Sequence, residues 1–569
     1  MNAKIIQEAD QNEASIPLAP KSKCIAFIQL NRLGDLIQTT QLARDLKNER
    51  PDIRLILICR EGFGKGLSFL FNEVFNHVYY VSSDTFFGAN TTNLDSAISN
   101  FSLYLGEINS NDIDIAINLS FSKSSAQLAS LVSAKYYFGS LTDQQAQEQI
   151  KDPWSQYIFS TVMAGAYNQL ALNDIFRQIL GLKENQTVPV ELNPRKNQII
   201  FAPFASHRKK RWRTEKWAEV IYKTLKNFPN YEVHLIGSTA DQEASKLISE
   251  NPFVQSVSQN FKNQVGVLSI QELRDLMTES RLLVAHDSMA SHLAAYTGLQ
   301  SLTIALGTVR PLETAPYIKG SYVLKPNTKC FPCFPADECA SFQCHSDISY
   351  QVVCSAIETL IQNDTITHTD LSQKLNSFHL GSFGLYKTDF SDGLLHFESL
   401  NKDETPSTKE LMGHFYRMAW LYLLEEKEER MGAPNFSNQT KAELKTNQDG
   451  IKHLYELYQF GQDYSRYILE EIAKDTPDLS KIKEYGAKID EIDQLSIFVG
   501  KQFQDLTPIV HFVTLRKANL EGEHIVHLTQ SSFFTYNQGV LLCKILFELV
   551  QSCISPEDSK KLPSRTLDV

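Results

Sequence analysis

From Cys24 onward, short apolar runs alternate with longer stretches in which apolar residues recur every three or four positions. Runs rich in branched residues predict strands, and the stretches between them predict helices. This alternation is typical of a parallel α/β sheet. The first series predicts strands at CIAFIQL, Ile53 to Cys59, Val78 to Val81 and Ile113 to Leu119, and helices at Asp35 to Arg50 and Trp154 to Leu180.

The pattern restarts after the polar, proline-containing segment ENQTVPVELNPRKNQ, where the first unit is predicted to end. Ligands of open α/β sheets bind at the carboxyl ends of strands, so chemistry is expected in the loops after Leu30, Phe201, Ile236 and Ala285. The second series predicts strands at Ile199 to Phe201, Val233 to Ile236, Arg281 to Ala285 and Ser301 to Ala305, and helices at Thr214 to Lys226, Asp241 to Glu250 and Met289 to Thr297.

After about Leu380 the spacing becomes helical throughout. Ser407 and Glu410 have capping-box spacing, and a later run repeats apolar residues, several of them tyrosines, every three or four positions. Such a stripe is usually the core of a helical bundle, and a binding surface is the alternative. The predicted organisation is a flexible segment over 1–22, two α/β domains over 23–190 and 191–380, and an all-helical domain over 381–569.

Composition narrows the expected partners. The 569 residues include 55 Lys and Arg against 66 Asp and Glu, a formal net charge of −11, so no nucleic acid is expected to bind. The N-terminus lacks an apolar signal-peptide core, and the late apolar run GVLLCKILFELV is too short to span a bilayer. We therefore expect a cytoplasmic protein, and association with the inner face of the cytoplasmic membrane through a partner stays open.

Three loops at strand ends carry the candidate chemistry. Asp35 follows Gly34 at the start of the first helix, where a carboxylate can act as a general base or simply complement the helix dipole. The run from Ser206 to Arg213 concentrates cations suited to a diphosphate, although such runs are commonly solvated surface. In the segment from Ala285 to His292, Ser288 can cap a helix whose free N–H groups receive phosphate, whereas a lone histidine is more often structural.

Together these segments resemble glycosyltransferase family 9, the bacterial heptosyltransferases, over about residues 23 to 362. The resemblance is carried by FIQLNRLGDLIQTTQLARDLKNERPDIRL, FAPFASHRKKRWRTEKWAEVI and LLVAHDSMASHLAAYTGLQSLTIALGT. It implies a GT-B arrangement, in which two Rossmann-like domains face each other. It also implies inverting transfer of a sugar, typically heptose from ADP-heptose, without a catalytic metal.

The resemblance further implies roles for individual residues. Asp35 would be the general base that activates the acceptor hydroxyl. Met289 and Ala205 depart from the family's glycine-containing patterns, and their side chains would narrow the donor pocket. The other implied contacts are Lys209, Lys210, Arg211, Ser288 and Met289 with the donor phosphates, Asp287 and His292 with the donor sugar, and Asp241 with the nucleotide.

The expected function is therefore heptose transfer to a hydroxyl of lipopolysaccharide core or another cell-envelope acceptor. One alternative is a protein O-heptosyltransferase acting on an autotransporter or flagellin-like protein, whose acceptor the helical domain would dock. Another is a non-catalytic sugar-nucleotide sensor or scaffold, because a fold alone does not imply activity. Exposed apolar surface on the helical domain would also suit a homo-oligomer.

Four cysteines, Cys330, Cys333, Cys339 and Cys344, are close together in the sequence and supply enough soft ligands for a closed tetrahedral site. We predict a structural zinc or iron there, with His345 as a reserve ligand; reduced thiols without metal are the alternative. In the subgroup of the family that resembles autotransporter heptosyltransferases, such a loop binds iron and supports assembly.

A second acidic pattern, Asp112-Ile113-Asp114, is similar to the metal-binding D-x-D sequence of other transferases. It precedes its predicted strand instead of following one, so a structural role is the favoured interpretation. We predict no catalytic metal.

Overall fold

The computed structural model describes residues 23–82, 93–162, 167–182, 195–401, 405–429, 436–520 and 524–555. The predicted flexible segment 1–22 lies outside the described residues, as does the predicted boundary between residues 190 and 191.

The first α/β unit, residues 24–182, is built on a sheet that has six strands within the described residues. These strands are β1 (Cys24–Gln29), β2 (Arg54–Arg60), β3 (His77–Val81), β4 (Ile113–Asn118), β5 (Ala134–Thr142) and β6 (Glu148–Ile150). Their order is β3-β2-β1-β4-β5-β6, and only β5 and β6 pair antiparallel. Every residue of the central strand β1 is buried, which explains why its first five residues are apolar.

Helix α1 (Leu33–Glu49) follows β1, and the carboxylate of Asp35 caps its first turn by accepting the Arg32 N–H at 3.0 Å. The predicted helix over 154–180 is not continuous, and within the described part the Asn168 side chain bonds both the N–H and the carbonyl of Leu170 and turns the chain there. Residues 163–166 of that stretch lie outside the described part. The other helices of this unit are α2 (Glu61–Gly64), α3 (Ser68–Val74), α4 (Leu94–Asn109), α5 (Lys123–Leu131), α6 (Pro153–Tyr157) and α7 (Leu172–Ile179).

The second α/β unit, residues 198–399, confirms the predicted second sheet. Its strands are β7 (Gln198–Ala202), β8 (Glu232–Leu235), β9 (Phe261–Asn263), β10 (Leu282–His286), β11 (Ser301–Ile304), β12 (Tyr322–Pro326), β13 (Phe383–Ser391) and β14 (Leu394–Ser399). They follow the order β14-β13-β12-β11-β10-β7-β8-β9, parallel from β12 to β9. Its helices are α8 (Thr214–Asn227), α9 (Gln242–Ser249), α10 (Pro252–Gln255), α11 (Ile270–Glu279), α12 (Met289–Tyr296), α13 (Gln343–Asp347), α14 (Tyr350–Asn363), α15 (His368–Lys374) and α16 (Ser377–Ser382).

Residues 383–399 correct the prediction that the chain is all-helical after residue 380. They form an antiparallel hairpin, β13 and β14, that extends the second sheet beyond β12. At the turn, Asp392 and Gly393 have φ angles of 51° and 77°, the left-handed backbone that a two-residue hairpin turn requires. The Asp-Gly pair between apolar runs was the sequence signal for this hairpin.

The helical region, residues 408–554, begins where the Ser407 and Glu410 side chains form the predicted capping box. Its two longest helices pack along each other, and each places a tyrosine ring against a glycine of the other. Tyr536 lies against Gly461, and Tyr458 lies against Gly539. Both tyrosines are buried, so this part of the tyrosine stripe is bundle core. The helices are α17 (Thr408–Glu425), α18 (Asn438–Ile472), α19 (Leu479–Gln502), α20 (Thr507–Ala518) and α21 (Ile525–Ile554).

Among the described residues, α21 is the one helix whose length and composition would allow it to cross a membrane. In this structure, 67% of its most apolar window is buried inside the protein. Its contacts with α18 and α20 account for that apolar character, because a helix that is apolar on most sides is expected in the centre of a bundle.

The helical region is bonded to both α/β units. In the first unit, Trp154 Nε1 donates to the Glu425 carboxylate at 2.9 Å. In the second unit, Lys325 pairs with Glu410 at 2.5 Å. One continuous cluster of buried apolar side chains runs through all three parts and includes Phe27, Leu283 and Trp420.

Candidate functional site

Helices α1 and α12, which follow β1 and β10, pack against each other where the two α/β units meet. Gly34, in the first turn of α1, lies so close to His292 that an added Cβ would be 2.8 Å from the ring carbon Cδ2. Arg32 also reaches across, and its guanidinium donates to Ser206 Oγ at 2.9 Å. The loop after β1 therefore meets both the loop after β7 and α12, as the strand-end rule predicts.

Asp35 supplies the carboxylate of the first unit at this contact. Burial raises the pKa of Asp35, while the Arg32 N–H and the His292 ring oppose the rise and Asp287 adds to it. Burial lowers the pKa of His292, against the opposing influence of the two aspartates. The contact therefore combines an aspartate that is more basic than an exposed one with a histidine biased toward its neutral form.

Lys210 and Asp287 supply an ion pair from the second unit in which the carboxylate is buried, with Nζ 2.7 Å from Oδ2. Burial alone would raise the pKa of Asp287, but Lys210 and His292 bring it below its ordinary value, and the Thr314 side chain also bonds the carboxylate. Asp287 is therefore held ionised. Lys210 is only partly buried, so its ammonium group can bind an incoming anion while it remains paired with Asp287.

Ser288 and Met289 lead from this ion pair into α12. Ser288, in extended conformation, is the residue before the helix. Its side chain makes no capping hydrogen bond to the described residues. The first N–H groups of α12 thus lie beside Asp287 without a side-chain cap. The Met289 side chain packs against the apolar core, and Ala205 is buried.

Lys209 is placed differently from Lys210. Its side chain is buried, and Nζ donates to the carbonyl oxygens of Phe334 at 2.9 Å and Pro335 at 3.3 Å, as well as to that of Asp337. All three donors of the ammonium group are therefore used within the segment that carries the cysteines. Lys209 fastens that segment and is not available for the phosphate role implied by the resemblance.

Arg211 and Asp241 face each other at the edge of the second sheet. Arg211 Nη2 lies 3.7 Å from Asp241 Oδ1. The other carboxylate oxygen of Asp241 accepts the N–H and the hydroxyl of Ser238, at 3.0 Å and 2.6 Å. Asp241 thus shapes the turn after β8, and one oxygen faces the exposed arginine.

The segment after β11 also contributes to the site, although its sequence did not predict this. Thr314 bonds Asp287, and the neighbouring Glu313 lies near enough for the charge of Asp287 to raise its pKa. The strand-end rule would have pointed to this loop, because it follows β11 just as the other candidate loops follow their strands. Its sequence, VRPLETAP, has no charge run or helical period to mark it.

Residues 105–341 match the family model described as Glycosyltransferase family 9 (heptosyltransferase). This part of the chain belongs to glycosyltransferase family 9. The protein is accordingly a glycosyltransferase, as the resemblance implied. The family 9 match contains Lys210, Asp287 and His292, while Asp35 precedes it.

Several solved structures of glycosyltransferases are similar to this chain. A glycosyl transferase family 9 protein from Veillonella parvula has 18% identity and a TM-score of 0.45, covering 60% of this chain and 97% of its own. The E. coli heptosyltransferase WaaC with ADP has 15% identity and a TM-score of 0.43, covering 60% and 100%. The iron-containing dodecameric glycosyltransferase TibC from enterotoxigenic E. coli has 12% identity and a TM-score of 0.32, covering 60% and 77%. No curated protein matches the chain.

The four cysteines lie close together between β12 and the end of α13. Burial raises the pKa of the Cys344 thiol, and Cys330, Cys333 and Cys339 all add to the rise. The described residues nevertheless contain no group of three or more His, Cys, Asp or Glu side chains arranged to hold a metal ion. His345 is engaged elsewhere, since its Nε2 lies 2.9 Å from the Lys209 carbonyl oxygen. The predicted tetrahedral arrangement is thus not formed in this structure.

The Asp112-Ile113-Asp114 pattern has a structural explanation. Asp114 accepts the backbone N–H groups of Lys23 and Cys24 at 2.7 and 3.0 Å and pairs with Lys135 at 2.6 Å. Its carboxylate therefore joins the start of β1 to β4 and β5.

Proposed function

We propose that this family 9 glycosyltransferase moves heptose from ADP-heptose to a hydroxyl of lipopolysaccharide core or another cell-envelope acceptor, with inversion at the anomeric carbon. One observation carries the proposal: Asp35 of the first unit and the Lys210–Asp287 pair of the second unit both interact with the same buried His292. A carboxylate and a lysine–aspartate ion pair thus lie on the two sides of one contact, where they would serve as the base and the anion-binding pair.

The proposed reaction is a single displacement. Asp35 takes the proton of the acceptor hydroxyl as its oxygen bonds to the anomeric carbon, and the bond from that carbon to the diphosphate oxygen breaks. The electron pair leaves with the nucleoside diphosphate. The raised pKa of Asp35 suits it to accept the proton. Lys210 and the first N–H groups of α12 would stabilise the negative charge that builds on the leaving group.

Asp287 has a second role in the proposal. Because Lys210 keeps it ionised, it can accept hydrogen bonds from donor-sugar hydroxyls without being protonated. Arg211 and Asp241 lie further along the same edge, where they would contact the nucleotide. Lys209 is left out of this assignment, since its donors are used by backbone carbonyls.

The test compares the wild-type protein with Asp35→Asn, and with Asp95→Asn as a matched control. Asp95 is also an acid in the first turn of a helix, but it is exposed on α4. Nucleotide release is measured from ADP-, UDP- and GDP-sugars, including ADP-heptose, with cell-envelope extract as the acceptor.

We expect the wild-type protein to release ADP from ADP-heptose only when extract is present, and Asp95→Asn to have the same turnover. Asp35→Asn should lose turnover by about 100-fold or more while it still binds the donor. Equal turnover by Asp35→Asn would exclude it as the base. Binding of the donor without turnover by the wild-type protein with any acceptor would favour the sensor or scaffold.

A protein acceptor is the second candidate. The helical region exposes the large apolar side chains of Phe460, on α18, and Phe498, on α19, and exposed apolar surface is typical of protein-binding sites, self-association included. Radiolabelled heptose would distinguish the two acceptors, because the label enters either glycolipid or polypeptide.

The four-cysteine segment is proposed to hold a structural zinc or iron when the metal is supplied. Four neighbouring thiols form a suitable set of soft ligands, although their side chains would have to converge from the arrangement seen here. The ion would fasten the segment that Lys209 binds, and no step of the transfer uses it.

A further inference from the structure

Glu313 is a buried carboxylate beside the donor site that the proposed reaction does not use. Its side chain is 6% exposed. The carboxylate accepts from Arg310 at 3.4 Å and from the Asn168 side chain. Its backbone carbonyl accepts the Leu172 N–H at 3.1 Å. Glu313 therefore joins the loop after β11 to the first α/β unit through both its side chain and its backbone.

The same loop reaches the donor-binding pair of the second unit. Arg310 donates to the Val162 carbonyl of the first unit. Thr314 donates to the Arg310 carbonyl at 3.3 Å, and its side chain bonds the Asp287 carboxylate. Residues 310–314 thus form a short bridge between Val162 and Asp287, and Glu313 lies inside it.

The charged and titratable groups facing Glu313 come from three elements. Arg310 is in its own loop, Asp287 follows β10, and Tyr157 ends α6. Lys409, on α17, approaches Arg310 from the other side. Arg310 and Asn168 stabilise the ionised form of Glu313, whereas Asp287 destabilises it.

Burial dominates this balance and raises the pKa of Glu313 to about 7. A further negative charge that binds next to Asp287 would destabilise the ionised form of Glu313 further. A diphosphate bound by Lys210 brings such a charge, so donor binding and protonation of Glu313 favour each other.

We propose that Glu313 is a positioning residue that holds Asp287 and Lys210 in place through the 310–314 bridge and takes up a proton when the anionic donor binds. The inference rests on the proposed function, because it takes the ligand of Lys210 to be a sugar diphosphate. Donor affinity should then decrease as the pH rises through neutrality, since the neutral form of Glu313 is the one that favours the anion.

The test measures the affinity of ADP-heptose for the whole protein by calorimetry at pH 6, 7 and 8, in buffers of different ionisation enthalpy. The diphosphate of this donor is esterified at both ends and has no group that titrates in that range. The proteins are wild type, Glu313→Gln, Glu313→Ala and the control Asp152→Asn. Asp152 is also a buried acid whose pKa is raised by burial, but it bonds Gly139 and Ser155 in the first unit.

For wild type and Asp152→Asn we expect affinity to fall about three- to tenfold from pH 6 to pH 8, with proton uptake on binding, since one unit of pKa change on binding corresponds to about tenfold. Glu313→Gln, which keeps the hydrogen bonds without the charge, should bind nearly equally at all three pH values and take up less proton. Glu313→Ala should bind weakly throughout, because the bridge loses its side-chain anchor.

The two proposals fail differently. A wild-type protein that does not bind ADP-heptose at pH 6 overturns the proposed function and the role of Glu313 with it. A wild-type protein that binds, but whose pH dependence is the same in Glu313→Gln, overturns the role of Glu313 alone. Lower melting temperatures in both Glu313 variants with an unchanged pH dependence would likewise assign Glu313 a merely structural role.

Discussion

The contact between Gly34 and His292 makes Gly34→Ala a direct test of the site geometry. The added methyl group would lie 2.8 Å from His292 Cδ2, whereas an ordinary contact of this kind begins at 3.4 Å. The methyl group and the ring must therefore separate by about 0.6 Å. His292 is buried and cannot swing into solvent, so α1 and α12 have to move apart.

Displacing α1 displaces Asp35, the next residue, from the Lys210–Asp287 pair. A misplacement of about 1 Å can cost roughly 100-fold in rate, so about 0.6 Å should lower turnover by roughly 10- to 30-fold. The fold should survive. Overpacking costs about 1–3 kcal/mol, and replacing a helical glycine by alanine returns up to about 1 kcal/mol.

The assay is ADP release from ADP-heptose, with melting temperature measured on the same samples. Gly106→Ala is the matched control, because Gly106 is also in a helix of the first unit and an added methyl group there meets nothing within 4 Å. Turnover by Gly34→Ala within twofold of Gly106→Ala would refute the argument that this contact sets the position of Asp35.

Two further outcomes follow from the packing and from the cysteines. Gly461→Ala should lower the free energy of unfolding by about 1–3 kcal/mol, because the added methyl group would lie 2.7 Å from the Tyr536 ring. The control Gly486→Ala in α19, whose methyl group meets nothing within 4 Å, should raise the free energy of unfolding by up to about 1 kcal/mol. Equal melting temperatures for the two variants would contradict the tyrosine–glycine packing. Protein produced with zinc or iron in the medium should contain about one ion per chain by elemental analysis. The double variant Cys330→Ser, Cys333→Ser should lose this ion. Less than about one tenth of an ion per wild-type chain would contradict the metal proposal.

The strand-end loops could be predicted from the sequence because a buried strand, a glycine or small residue and an acid are local features. Asp35 and Asp287 both follow buried, largely apolar strands, and the structure brings both against His292. The different partners of Lys209 and Lys210 could not be predicted from the sequence. They are adjacent in one turn of 3-10 helix, and the carbonyl oxygens that bind Lys209 come from residues more than 100 positions away.

The missed features depend on tertiary packing in a similar way. Glu313 is important only because Asn168 and Arg310 surround it, and its own sequence neighbourhood has no period. The cysteine spacing identified the donor atoms but not their convergence, since four thiols in a short segment can point in several directions. The hairpin at Asp392 and Gly393 is the exception, because its turn signal was local and was outweighed by the helical pattern that follows.

The shared apolar core has a consequence for how such a chain can change over evolutionary time. Trp420 of α17 packs edge-to-face against Tyr157 of the first unit, with ring centroids 5.5 Å apart, and both residues are almost completely buried. A gene truncated before α17 would therefore encode α/β units whose own aromatic surface faced water. Replacing the helical region by recombination would expose the same surface, so the helices and the α/β units are expected to evolve as one unit.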